Sequence, residues 1–103
     1  MARYSPLPLH EVTAALEGLP GWTHADGALR KTFQLPTFRA AIAFIVQIAF
    51  EAEATDHHPA LRNVHRTVDI VLTSHAASDR VTLLDVGMAA AIDAMARPLT
   101  TDG

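Results

Sequence analysis

Asp26-Gly27-Ala28-Leu29-Arg30-Lys31-Thr32-Phe33-Gln34-Leu35-Pro36-Thr37-Phe38 contains a turn, a strand and the start of a helix in one stretch. Asp-Gly is a strong hairpin dipeptide, because a tight two-residue turn needs backbone angles that these residues tolerate. The next residues alternate. Leu29, Lys31, Phe33 and Leu35 fall on one side and Arg30, Thr32 and Gln34 on the other, the period of two that marks a strand with one face inward. Lys31 interrupts the apolar side, so that face is expected to be only partly buried. Pro36-Thr37 then opens a helix, and the apolar period changes from two to 3.6.

Upstream, a short strand around Trp22 and His24 supplies the other arm of the hairpin. Before it, Leu9, Val12, Leu16 and Leu19 recur at helical spacing after Ser5-Pro6, and Gly18 and Pro20 end that helix. Downstream, the long helix runs to about Ala54. Phe38, Ala41, Ile42, Ile45, Val46, Ala49 and Phe50 form one broad stripe, and Ala43, Phe44 and Ile48 extend beyond it. Two readings fit such a helix: small alanines widen a single inward face, or the helix is buried twice, with Phe44 and Ile48 at a subunit contact. The second is preferred, which implies a homodimer or homotetramer.

After His58-Pro59, an extended piece from Leu61 to His65 leads through Arg66 into a strand in which Val68, Ile70 and Leu72 alternate with Asp69, Val71 and Thr73. A loop from His75 to Val81 follows. Thr82 caps a last helix, with Leu83, Val86, Ala89, Ala90 and Ile92 to Met95 supplying apolar surface, and Pro98 is expected to stop it. The order α-β-β-α-β-β-α implies an α+β fold: a four-stranded antiparallel sheet with three helices packed on one face. Residues 1–103 are expected to form a single domain.

Composition narrows the function classes. The 103 residues are 50% hydrophobic, enough to fold around a modest core. A net charge of −3 with 8 Lys and Arg argues against nucleic acid or an anionic membrane as a direct partner. The absence of Cys fits a reducing cytoplasm. The start Met1-Ala-Arg-Tyr-Ser-Pro6 lacks the apolar stretch of a signal peptide, and Ala40 to Phe50 is too short to span a bilayer. These features describe a cytoplasmic protein.

Chemistry concentrates in Glu53-Ala-Thr-Asp-His57-His58-Pro59 and Thr73-Ser74-His75, which hold three of the six histidines. Histidine gives and takes protons near neutral pH, so three around one cavity suit a proton-transfer reaction that needs no cofactor. Pro59 pushes His58 out of helical geometry, and His75 ends a strand, so all three stand at element ends, where a rigid scaffold presents side chains to a cleft. Glu53 lies one helical turn before His57 and is placed to orient it. Glu53 and Asp56 also read as solvated helix-end charges. Asp85, three residues after Thr82, reads at least as well as a capping-box acceptor as a catalytic group. Zinc is a lesser reading of the histidines, because adjacent ligands are geometrically awkward. His10, His24 and Trp22 are assigned to surface or packing.

Taken together, Glu53, His57-His58-Pro59, His75 and Asp85 resemble the signature of the pterin-4a-carbinolamine dehydratase family. The likeness extends to Leu16-Glu-Gly-Leu-Pro-Gly-Trp22, to the Phe33/Phe38 segment and to Thr82-x-x-Asp85-x-x-x-Ala89, and so covers nearly the whole chain. His65 stands where the family usually has Tyr, Ala60-Leu61 where Glu-Trp often follows His-His-Pro, and Arg80-Val81-Thr82 where Gly-Leu-Thr precedes the last helix, in a slightly longer loop.

The resemblance implies dehydration of a 4a-hydroxytetrahydropterin to the quinonoid dihydropterin, a step that recycles the cofactor of aromatic amino acid hydroxylases. It implies catalytic roles for His57, His58 and His75, and pterin contacts from Glu53, Asp56, His65, Ser74 and Asp85. No metal or organic cofactor is implied. The alternative within the same resemblance is a non-catalytic binding protein, either a dimerisation cofactor of a transcription factor or an enzyme assembly factor. Retention of all three histidines favours the enzyme.

Overall fold

The structure, a computed structural model, describes residues 5–100. Its elements are α1 (Leu9–Leu16), β1 (Thr23–Ala25), β2 (Ala28–Gln34), α2 (Phe38–Thr55), β3 (Ala60–Val64), β4 (Thr67–Leu72) and α3 (Leu83–Thr100), with one 3₁₀ turn over His75–Ala77. The strands form one antiparallel sheet in the order β1-β2-β4-β3. The expected order of elements is the observed one.

Asp26 and Gly27 both have positive φ (53° and 74°) and join Ala25 to Ala28 across a two-residue turn, as the Asp-Gly dipeptide requires. Register then fixes the faces. Leu29 pairs with Leu72, Lys31 with Ile70 and Phe33 with Val68, so the inward positions of the two central strands coincide. This face packs against Val12 of α1, Ala41, Phe44 and Ile48 of α2, and Met88, Ala89 and Ile92 of α3. The opposite face, with Arg30, Thr32 and Gln34, is open.

Lys31 sits on the covered face as the sequence places it, but its charge is fully accommodated. Nζ donates to the Pro20 carbonyl (2.7 Å) and to Asp93 Oδ1 (2.9 Å), and stands 4.6 Å from the Phe33 ring centroid. Its stem covers apolar surface while its head finds acceptors at the rim. Trp22 belongs to packing: it is buried, lies edge-on to Phe33, and donates Nε1–H to Asp93 Oδ1 (3.0 Å).

Two expectations are corrected. Phe44 and Ile48 are wholly buried within one chain, where they meet the sheet and α3; burying a side chain of this kind contributes about 1.5–3 kcal/mol. The side of α2 that stays open carries Phe38 (58% exposed), Ile42 (38%), Val46 (47%) and Phe50 (73%). Pro98 does not stop α3, which continues to Thr100. A proline in the last turn removes only one backbone donor, and the Thr100 hydroxyl shares its one proton between the Ala96 and Arg97 carbonyls (3.1 and 3.2 Å).

Candidate active site

Three segments converge beside the sheet: the C-terminal end of α2, the loop after β4 and the first turn of α3. Asp56 takes a left-handed conformation (φ 52°) just past α2, which lets the His57 amide bond back to the Ala52 carbonyl (3.1 Å). This helix-ending device is usually built on glycine. It turns the chain so that His57 points inward, with its side chain only 10% exposed, while His58 remains exposed.

His57 Nε2 lies 2.6 Å from Asp85 Oδ1. Asp85 is in the first turn of α3 and is completely buried. Its other oxygen, Oδ2, accepts from the Thr82 amide (2.9 Å) and from Ser74 Oγ (2.8 Å). A hydroxyl has one proton to give. Ser74 commits its proton to Asp85, Thr82 Oγ1 therefore donates to Ser74 Oγ (2.8 Å), and the Leu84 amide donates to Thr82 Oγ1 (3.2 Å). Asp85 is thus both the capping-box acceptor and the carboxylate that holds His57. Because Asp85 accepts at Nε2, Nδ1 is left as the atom of His57 able to exchange a proton.

His75 opens the 3₁₀ turn on the other side. The amides of Ala77 and Asp79 bond to the Ser74 carbonyl (3.1 and 3.0 Å), and the Ser74 amide bonds to the Arg80 carbonyl (3.1 Å). The β1–β2 hairpin braces this loop: Thr73 Oγ1 donates to the Gly27 carbonyl (2.8 Å), and a Cβ on Gly27 would meet the Asp79 carbonyl oxygen at 2.3 Å. Glycine is needed there both for its positive φ and for this approach.

His57, His58 and His75 line one cleft of about 410 Å³, together with Asp56, Ser74 and Leu84. The structure thus brings together the three histidines chosen from sequence. Ser74 and Asp85 are also present, but their side-chain atoms are spent on one another, on Thr82 and on His57. Glu53 is exposed, and the carboxylate that reaches His57 comes instead from 28 residues later in the chain. His65 occupies the β3–β4 turn with φ 53° and faces solvent. The five residues of β3 separate it from the cleft, about 16 Å at ~3.3 Å per residue. Asp79, whose Oδ1 lies 2.6 Å from His75 Nδ1, was not singled out from sequence; the signal available was its spacing of four from His75.

Comparison with known proteins points the same way. The sequence model described as pterin 4 alpha carbinolamine dehydratase matches residues 5–95. A Bradyrhizobium sp. protein assigned the name pterin-4-alpha-carbinolamine dehydratase is 49% identical over 86 residues, covering 82% of this chain and 86% of the relative. One from Rhizorhabdus wittichii assigned the same name is 45% identical over 93 residues, covering 88% and 95%. Among solved structures, the crystal structure of a transcriptional coactivator/pterin dehydratase from Brucella melitensis superposes with a TM-score of 0.85 at 36% identity, covering 88% of this chain and 98% of that one.

Proposed function

The chain belongs to the pterin 4 alpha carbinolamine dehydratase family, and from that premise we propose that it converts a 4a-hydroxytetrahydropterin to the quinonoid dihydropterin and water. The observation that carries this reading is the convergence of His57, His58 and His75 on one cleft, with His57 anchored by a buried carboxylate. Hydroxide is a poor leaving group. A protonated imidazole gives its proton to the C4a hydroxyl, the C4a–O bond breaks, and water departs. The N5 lone pair forms the new C4a=N5 bond, and a neutral imidazole takes the N5 proton, so no net proton is consumed. His57, through Nδ1, and His75 act as the acids flanking the ring. His58 binds the pterin and assists proton removal. Asp56 at the cleft wall is a polar contact for the substrate. No step calls on a metal or an organic cofactor, and the site of action is the cytoplasm.

The chain is further read as a homodimer or homotetramer, with the open stripe of Phe38, Ile42, Val46 and Phe50 covered by a second copy. Exposed apolar surface of this extent on one helix is uncommon in a monomer. Light scattering at micromolar concentration is expected to show more than one chain per particle, and Phe50→Ser to shift the population toward monomer.

Turnover of a chemically generated carbinolamine tests the enzyme reading. His57→Ala and His75→Ala are each expected to lower the rate about 10²- to 10⁴-fold, the scale of general acid catalysis, with circular dichroism unchanged. His10→Ala should have little effect. Equal rates in all four proteins would overturn the assignment and leave a non-catalytic binding protein, for which the α2 stripe is the candidate surface.

A further inference from the structure

We propose that Asp79 is a positioning residue that holds His75 with Nε2 toward the cleft, an inference that rests on the dehydratase reading for its kinetic part. The contact is short, 2.6 Å from Asp79 Oδ1 to His75 Nδ1, although both side chains are largely exposed (91% for His75 and 64% for Asp79). An ordinary surface pair of this kind holds neither side chain firmly. This one differs in how it is built. Ser78 and Asp79 are consecutive non-glycine residues in the left-handed region, with φ 57° and 61°. L side chains meet steric resistance there, so such a pair persists only where its surroundings impose it.

The surroundings are visible. The Asp79 amide is tied to the Ser74 carbonyl (3.0 Å), the Ser78 amide to the His75 carbonyl (3.0 Å), and the Asp79 carbonyl abuts Gly27 so closely that no Cβ fits between them. The backbone of residue 79 is thereby pinned from two sides, and its carboxylate is folded back over His75. A carboxylate only accepts, so Nδ1 of His75 carries the proton in that contact and Nε2 is the exchanging atom.

The two walls of the cleft then form a complementary pair. His57 is held at Nε2 by Asp85 and exchanges through Nδ1. His75 is held at Nδ1 by Asp79 and exchanges through Nε2. One imidazole is fixed by a buried carboxylate inherited from the helix cap. The other is fixed by a loop in which this chain departs from the Gly-Leu-Thr pattern.

The test uses the whole chain, labelled with ¹⁵N-histidine, and reads the ring tautomers by long-range ¹H–¹⁵N correlation alongside turnover. Wild type is expected to show His75 protonated at Nδ1. Asp79→Gly suits the left-handed backbone and removes the carboxylate; it should move the His75 proton to Nε2 and lower kcat roughly fivefold, the upper end for an exposed pair, with KM little changed. Asp79→Asn keeps an acceptor and should restore most of both signals. A His75 tautomer that is the same in wild type and Asp79→Gly, or a kcat that ignores a tautomer change, would overturn the proposal. If wild type has no turnover, the dehydratase reading fails separately, and the tautomer measurement alone decides whether Asp79 holds His75.

Discussion

Asp85 and Asp93 stand about two turns apart on α3, with fully buried Ala89 between them, and both carboxylates turn away from bulk solvent. Their partners differ. Asp85 receives a backbone amide, a serine hydroxyl and an imidazole. Asp93 gathers Trp22 Nε1 and Lys31 Nζ on a single oxygen. A lysine ammonium keeps its charge through neutral pH, whereas a histidine in that range can pass a proton on. The helix therefore uses one device twice: at its start to hold a group that can react, and further along to fasten the hairpin arms to the helical layer. What separates site from frame is the chemistry of the partner.

The sharpest way to break this contrast is to substitute both carboxylates alike. Asp85→Asn retains size and can still accept from the Thr82 amide, but an amide in place of the carboxylate can turn its NH₂ toward His57 and reverse the ring tautomer. A comparable Asp-to-Asn change in a serine protease triad lowers kcat about 10⁴-fold. For Asp85→Asn a fall of about 10²- to 10⁴-fold in kcat is expected, with a smaller loss of stability. Activity within a few-fold of wild type would show that His57 needs no carboxylate.

Asp93→Asn should do the reverse. Losing a partly buried charged acceptor shared by two donors is expected to destabilise the fold by about 1–2 kcal/mol, a fall in Tm of roughly 4–16 °C for a protein of this size. The turnover number should stay near that of wild type. Loss of kcat with Tm intact would place Asp93 in the site and remove the distinction.

These two aspartates also show what the sequence reveals and what it hides. Thr82-x-x-Asp85 is a local pattern, so the cap was legible; the bond from Asp85 to His57 crosses 28 residues and has no local signature. Glu53, one turn from His57, looked the better partner because helical spacing was the only distance available. The two apolar stripes of α2 are nearly equal in strength, so periodicity alone did not say which one meets the sheet. The sequence alone therefore leaves Phe44 and Ile48 free to face outward, whereas in the fold they are buried. Strand alternation, the Asp-Gly turn and the three histidines at element ends were readable because each depends on near neighbours or on register.

Lys31→Met gives a smaller effect and a finer test. Methionine preserves much of the stem that lies against Phe33 and Trp22, but it leaves Asp93 with Trp22 Nε1 alone of these two donors. The loss is expected to be about 1 kcal/mol, read as a Tm shift of roughly 4–8 °C. An unchanged Tm would mean that Trp22 suffices and that the ammonium adds little; a loss as large as that of Asp93→Asn would mean that the ion pair is the whole fastening.

The smallest effect is expected at His65, the position where the family usually carries Tyr. The family resemblance implies a pterin contact at this position, in which case an aromatic ring in place of His65 would lower KM. The structure puts residue 65 in the β3–β4 turn, exposed, at the far end of both strands from the cleft. Its backbone is held by the Asn63 side-chain Nδ2 donating to the His65 carbonyl (3.1 Å), a contact that does not depend on the imidazole. His65→Tyr should therefore leave kcat and KM within about twofold of wild type. A clear fall in KM would mean that the turn of a second copy reaches the first copy's cleft. In that event the site would be assembled between subunits, and Asp85 and Asp93 would no longer mark a boundary between chemistry and frame that lies within one chain.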